Sequence, residues 1–360
     1  MASSTLGWTG LFGTIAGANN REDLIDLITL TSPYETPFFS MVQKGTALHT
    51  LHEWQTEALQ DTATGGGARF NEGAAFSAAS VNDRTRLTNL CEIFRKDIQV
   101  SNTQRAVRPA GIKDEYLHQV QVAIKEVGRD IEVTLFQGAG GSATGTSAAG
   151  IRVMKTLRNF ISTNSFSTTQ TAIGATGIAF STTAWSIGEI MFNSILNQVF
   201  LQGGRVDTVF CNGPGKRQIS RFAGGGAPIV QGTNVARRNV DSAAKKLYAA
   251  VDTYESDFGV VNIILDRFVG QKDVGSNLAS AQDGNADTGG LNRMWFFQMD
   301  TWEVDFLRPL KHVPLPPGGD AVRGMVLTEL TISAFAEQWN AVLANVSARV
   351  GATTDGTVQS

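Results

Sequence analysis

IKDEYLHQVQVAIKEVGRDIEVTLFQG (Ile112–Gly138) is the stretch on which the reading of this chain turns. Ile112, Tyr116, Val120, Ile124, Val127, Ile131 and Leu135 recur every three or four residues, the spacing that lines one face of an α-helix. The opposite face carries Lys113, Glu115, Gln119, Gln121, Lys125, Arg129 and Glu132, and Gly138 is placed to end the helix. The pattern predicts a helix over 110–137. At 1.5 Å per residue it is ~40 Å long. That matches the width of a compact domain, so the helix is expected to run along a molecule rather than sit inside one globule. Gly128, in its interior, costs ~1 kcal/mol relative to alanine. It marks either a bend or a close packing contact, and packing is the expectation.

Upstream, EIFRKDIQV (Glu92–Val100) alternates: Phe94, Lys96, Ile98 and Val100 share one face, Arg95, Asp97 and Gln99 the other. HEWQTEAL (His52–Leu59) alternates more loosely. Between them QDTATGGGARFNEGAAFSAAS (Gln60–Ser80) is rich in Gly, Ala and Ser. Two polar strands with a long tip form a ribbon that is marginal in water by itself. Either it lies on a neighbouring molecule, or its strands belong to an ordinary sheet. In TSPYETPFFSMVQKG (Thr31–Gly45), Pro33 and Pro37 fix an extended path. The pattern before it predicts a short helix capped by Asn20, with Leu24, Leu27 and Ile28 on one face, stopped by Pro33. Residues 1–20 are too glycine-rich for a stable helix and too apolar for a solvated tail. They read as an arm that orders on another surface, or as a frayed terminus.

Downstream, GAGGSATGTSAAG (Gly138–Gly150) is a hinge-like linker. Beyond it the pattern predicts a helix over 184–202, a strand VDTVFC (Val206–Cys211), and an NGPG turn into a helix beginning near Lys216. Strands LYAAVDTY (Leu247–Tyr254) and VVNIIL (Val260–Leu265) follow, joined by a turn. MWFFQM (Met294–Met299) and TWEVDFL (Thr301–Leu307) fit a hairpin. Pro309, Pro314, Pro316, Pro317, Gly318 and Gly319 read as a loop, and MVLTELTISAF (Met325–Phe335) as the last long strand. The fold class is α+β.

Composition narrows the function. Of 360 residues only 18% are charged, so the surface is less obligatorily wet than usual and extensive contact with other chains is favoured. A net charge of −3 argues against a protein that grips DNA sequence-specifically. Cys91 and Cys211 make no disulfide scaffold and have no metal-ligand spacing. The first 20 residues hold no Lys or Arg, so no secretory signal is expected, and no apolar run is long enough to span a membrane.

Catalytic motifs fail on context. NGPGK (Asn212–Lys216) imitates a phosphate loop, but Phe210 stands where the first glycine belongs and Arg217 where Ser or Thr would bind magnesium. Gly138, Gly140 and Ala143 fit a dinucleotide fingerprint by letters, yet follow a helix rather than a strand. Asp257-Phe258-Gly259 has no kinase partner motif, and His49 and His52 have no third ligand. No catalytic residue, cofactor or metal is implied.

TSPYETPFFSMVQKG, HEWQTEAL, VSNTQRAV (Val100–Val107) running into the long helix, and LTELTISAFAEQWNAVLANVS (Leu327–Ser347) together resemble the major head protein family of tailed phages. The resemblance implies the Hong Kong 97-like capsid fold: an N-terminal arm (1–50), an extended loop (51–101), a peripheral domain with a spine helix (102–140 and 294–360) and an axial domain (141–293). It implies hexamers and pentamers closing an icosahedral shell around double-stranded DNA, in a virion made in the host bacterial cytoplasm. Portal, decoration or separate scaffolding proteins are the expected partners, with DNA contacted non-specifically and no membrane. Trp8, Phe12, Trp54, Arg69, Phe70 and Phe76 are the expected anchors on neighbouring subunits. Gln60–Ser80 contains no lysine, so the covalent crosslinking of some family members is not carried over. A non-viral shell enclosing protein cargo, and an oligomeric α/β enzyme, are the alternatives.

Overall fold

Asp114 starts the long helix: its side chain accepts from the Tyr116 N–H, and Glu115 stands favourably in the first turn. The computed structural model describes residues 32, 34–59, 71–75, 82–107, 111–112, 114–138, 151–167, 172–173, 178–179, 187–220, 222, 239–241, 246–248, 251–269, 293–344 and 346. In chain order the first half comprises α1 (Pro37–Met41), β1 (Gln43–Thr46), β2 (Leu51–Thr56), β3 (Thr85–Leu90), β4 (Glu92–Ser101), α2 (Asn102–Ala106), α3 (Glu115–Gln137), α4 (Leu157–Phe160), β5 (Ser165–Ser167), β6 (Ala172–Ile173) and β7 (Ile178–Ala179). Then follow α5 (Glu189–Leu201), β8 (Thr208–Cys211), α6 (Gly213–Ile219), β9 (Asn239–Asp241), β10 (Lys246–Tyr248), β11 (Thr253–Ser256), β12 (Gly259–Leu265), β13 (Met294–Phe297), β14 (Trp302–Leu315), β15 (Ala321–Ala334) and β16 (Ala341–Ala344).

Two sheets carry the molecule. The first has the order β1-β14-β15-β4, and the spine helix α3 lies on it against β4 and β15. The second has the order β11-β12-β8-β13-β16-β5. One face of this second sheet is covered by α5 and α6, through Met191, Phe192, Ile195, Val199 and Ile219. Its other face joins the common core with α1, the C-terminal half of α3, and the first sheet. An aromatic cluster fills that joint. Phe38 sits 5.2 Å from Phe136, 5.5 Å from Phe210 and 5.2 Å from Phe297, with the rings tilted or edge-on. The three smaller pairs are β2-β3, β6-β7 and β9-β10.

Several readings change. The strand that returns from the ribbon is β3, not Glu92–Val100; the latter, β4, pairs with β15 from Leu330↔Glu92 to Ala321↔Ser101. The alternation read for Glu92–Val100 is real, but it describes a strand with one face in the core. MWFFQM and TWEVDFL are not a hairpin. β13 pairs with β8 and β16, β14 with β1 and β15, and a turn of 3₁₀ helix at Met299–Thr301 carries the chain from one sheet to the other. β14 continues through Pro309 and Pro314 to Leu315. Beyond Phe306 it has lost β1 as a neighbour, and register shifts surround Arg308, so it tolerates proline as an edge strand does. α6 begins at Gly213, because the Asn212 side chain caps Gly215 N–H at 2.9 Å. Gly128 has open space where a Cβ would stand, so no packing contact among the described residues of the subunit explains it. Glu132, read as a solvent-facing residue, is fully buried.

Candidate assembly surfaces

Among the described residues the β2-β3 ribbon pairs with no third strand, and its register runs from Leu51↔Leu90 to Thr56↔Thr85. Its foot is tied to the body. Period-two alternation turns His52 and Trp54 to one side, toward the first sheet. The Trp54 Nε1–H donates to Ala334 O of β15 at 2.8 Å, and its ring lies 6.0 Å from Phe160. His52 Nε2 is 3.3 Å from Asp305 Oδ2 of β14. On the other strand, the Asn89 amide donates to Ile332 O at 2.8 Å and to Lys155 O at 3.2 Å, while its Oδ1 accepts from Lys155 N–H at 2.7 Å. Asn89 therefore fastens the ribbon both to β15 and to the segment that precedes α4.

The outer part of the ribbon is different. Exposed ion pairs Arg84–Glu57 at 2.9 Å and Arg86–Glu53 at 3.4 Å cross it, and such pairs contribute little each. Leu59, at its outer end, is 94% exposed, and Leu48, just before its foot, is 92% exposed. A second apolar surface lies on the outer side of α5, where Ile190, Phe200 and Leu201 are exposed, with Val260 and Leu265 of β12 also open to solvent.

Trp54 is thus seated within its own chain, where the sequence expectation has it on an adjacent subunit. Trp8, Phe12, Arg69, Phe70 and Phe76 lie outside the described residues. The residues that the sequence reading missed are buried and polar: Asn89, Glu132, Glu329 and Asn340. A polar letter in an alternating strand or amphipathic helix reads as solvent-facing, so only its neighbours in space reveal it. Glu329 of β15, for example, joins Arg152 and, at 2.7 Å, Arg308.

Ser333 Oγ–H donates to Asp305 Oδ2 at 2.5 Å, and His52 reaches the same oxygen. The acid stands between the hydroxyl and the imidazole, whereas a nucleophile relay needs the imidazole in the middle. Burial pushes the Cys91 thiol up to about 11 and that of Cys211 up to about 12, so both are protonated and unreactive at neutral pH. Among the described residues no group of three or more His, Cys, Asp or Glu could hold a metal, and no helix is long and apolar enough to cross a membrane.

The architecture resembles solved shell subunits along nearly its whole length. The capsid of a native GTA particle superposes with a TM-score of 0.57, covering 93% of this chain and 99% of that one at 11% identity. Microbacterium phage Oxtober96 gives 0.54, with 90% and 95% covered at 14% identity. The holo-SrpI encapsulin of Synechococcus elongatus PCC 7942 gives 0.53, with 91% and 93% covered at 9% identity. At such identities the likeness establishes the fold, which is that of the Hong Kong 97-like shell subunits. Sequence then narrows the class. The family model of the SU10 major capsid protein matches residues 10–347, and the chain belongs to that family. The major capsid protein of Escherichia phage Phieco32 is 32% identical over 111 residues, which is 31% of this chain and 31% of that protein. The match therefore spans about a third of that curated relative's length.

Proposed function

We propose that the chain is the repeating subunit of a phage head: it assembles into hexamers and pentamers that close an icosahedral shell around double-stranded DNA. The observation that carries this reading is the family match over residues 10–347, on a fold whose described ribbon residues are tied to the body at the foot. An element held at one end, with Leu59 bare at the other, gains cover from a second copy, and shell interfaces are built from such reach. The ribbon proper is β2 to β3; β4, β14, β15, β1 and the spine helix form the peripheral part, and the second sheet with α5 and α6 the axial part.

The partners in this reading are other copies of the chain, the packaged DNA met without sequence preference, and portal, scaffolding or decoration proteins. The place of action is the virion, after synthesis in the host cytoplasm. The role is structural, with no catalytic step. A net charge of −3 suits it, since a strongly basic lining would sum phosphate contacts and hold the genome. The test is electron microscopy of the purified full chain. Closed shells are expected. A discrete small oligomer would refute the reading, and shells recovered from cells filled with protein instead of nucleic acid would replace it with a cargo compartment.

A further inference from the structure

Three parts of the molecule meet at the carboxyl of Glu132. The residue is on the spine helix and is fully buried. Its Oε1 accepts from Phe38 N–H and its Oε2 from Phe39 N–H, both at 2.8 Å, so the helix holds the first turn of α1, where the N-terminal arm enters the body. Against it lies Asp266, which ends β12 of the second sheet and is 1% exposed. Asp266 Oδ1 accepts from Phe268 N–H at 2.8 Å, but its buried Oδ2 meets no donor among the described residues.

Among the described residues, other titratable groups do not relieve the pair. Lys44 of β1 faces Glu132, but its ammonium donates to Phe39 O and sits 3.8 Å over the Phe39 ring. The Cys211 thiol of β8 faces Asp266 and is protonated. Two buried carboxylates in contact cannot both stay ionised, because each loses hydration and feels the other's charge. One proton between them removes the repulsion and supplies the donor that Asp266 Oδ2 lacks.

We propose that Glu132 and Asp266 share a single proton, and that this proton is a pH-sensitive latch closing the root of the N-terminal arm onto the spine helix and the second sheet. Burial first, and then the Asp266 charge, push Glu132 up to about 8 from 4.5, against the pull of the Phe38 and Phe39 amides. Asp266 is raised as well, chiefly by burial. The sign follows. A group whose folded value is raised stabilises fully below its unfolded value, so the latch is closed below about 4.5, weakens as pH rises, and is open above about 8. Lys44, pushed down by burial to about 8 from 10.5, acts with the opposite sign and in the next window up, so the two effects separate.

Asp266→Asn tests the latch. Asparagine keeps an oxygen for Phe268 N–H and offers a permanent N–H in place of the shared proton, so the Asp266 charge at Glu132 is removed while the burial penalty stays. Unfolding equilibria of the full chain would be followed from about pH 4.5 to 8, the window set by Glu132. The folding constant of the native protein is expected to fall relative to D266N by up to ~10-fold per pH unit, the linkage of one proton. Parallel profiles overturn the proposal. Above about pH 8, the Phe38 and Phe39 amides should exchange hydrogen faster in the native protein than in D266N at the same pH. Equal rates overturn the latch. Should D266N fail to fold, the native protein answers alone. At about pH 6, where exposed carboxyls are ionised, its infrared spectrum should keep the C=O stretch of a protonated buried carboxyl and lose it above about pH 8. Absence of that band refutes the shared proton.

Discussion

Asn340 is fully buried and fully satisfied. Its Oδ1 accepts from Gln298 N–H at 3.0 Å and Trp302 Nε1–H at 2.9 Å, and its amide donates to Thr301 Oγ1 at 2.9 Å and Ala336 O at 2.8 Å. These partners flank the 3₁₀ turn at Met299–Thr301, so one side chain holds the corner where the chain changes sheets. Removing it strands buried donors and acceptors, each costing ~1–3 kcal/mol. Asn340→Ala should therefore destabilise by at least ~2 kcal/mol in denaturant unfolding. A loss under ~0.5 kcal/mol, the range of surface substitutions, would show that the corner does not depend on it. The role of Asn340 was not legible beforehand. The sequence shows one asparagine near the end of a strand-rich segment, and its partners come from both sides of a turn that the hairpin reading had misplaced.

At the scale of elements, two glycines with the same letter behave oppositely. Gly128 stands in α3 with nothing within 4 Å of a Cβ, while a Cβ on Gly324 of β15 would collide with Tyr116 Oη and His312 Nε2. Gly128→Ala should stabilise the subunit by up to ~1 kcal/mol through helix propensity alone. Gly324→Ala should destabilise it by ~1 kcal/mol or more, as overpacking does. Thermal unfolding of both variants checks the pair, and the same sign for both would contradict the packing described here. If G128A is more stable and yet assembles poorly, the open space at Gly128 is filled by a second copy. Legibility at this scale followed burial. The spine helix and β4 were readable because each buries one face, and the periods 3.6 and 2 survive in the letters. The C-terminal half of the helix kept its stripe, through Val127, Ile131 and Leu135, whereas Ile124 is exposed. β13 and β14 misled because they adjoin in sequence and both suit strands. Their difference was nonetheless present: MWFF is buried at every position, the mark of a central strand with both faces covered, and WEVDF is not.

For the whole molecule, Trp54 and Asn89 bind the ribbon's foot to the body, and a change beyond them leaves those ties in place. Deleting residues 65–80 should leave the unfolding midpoint of the subunit within ~2–4 °C, about the shift of 1 kcal/mol in a large domain, and abolish shell closure by electron microscopy. Normal shells from the deletion would deny the tip any part in assembly. The β2 strand of the ribbon was legible in the alternation of HEWQTEAL. The sheet partners were not, since β1 and β4 join the first sheet through partners more than two hundred residues away.

Phe38 gives the arm a mechanical meaning. Its ring touches the spine helix through Phe136 and the second sheet through Phe210 and Phe297. A pull on the first turn of α1 is therefore delivered into the core that both sheets share. Whatever grips the arm from outside holds a lever on both halves at once.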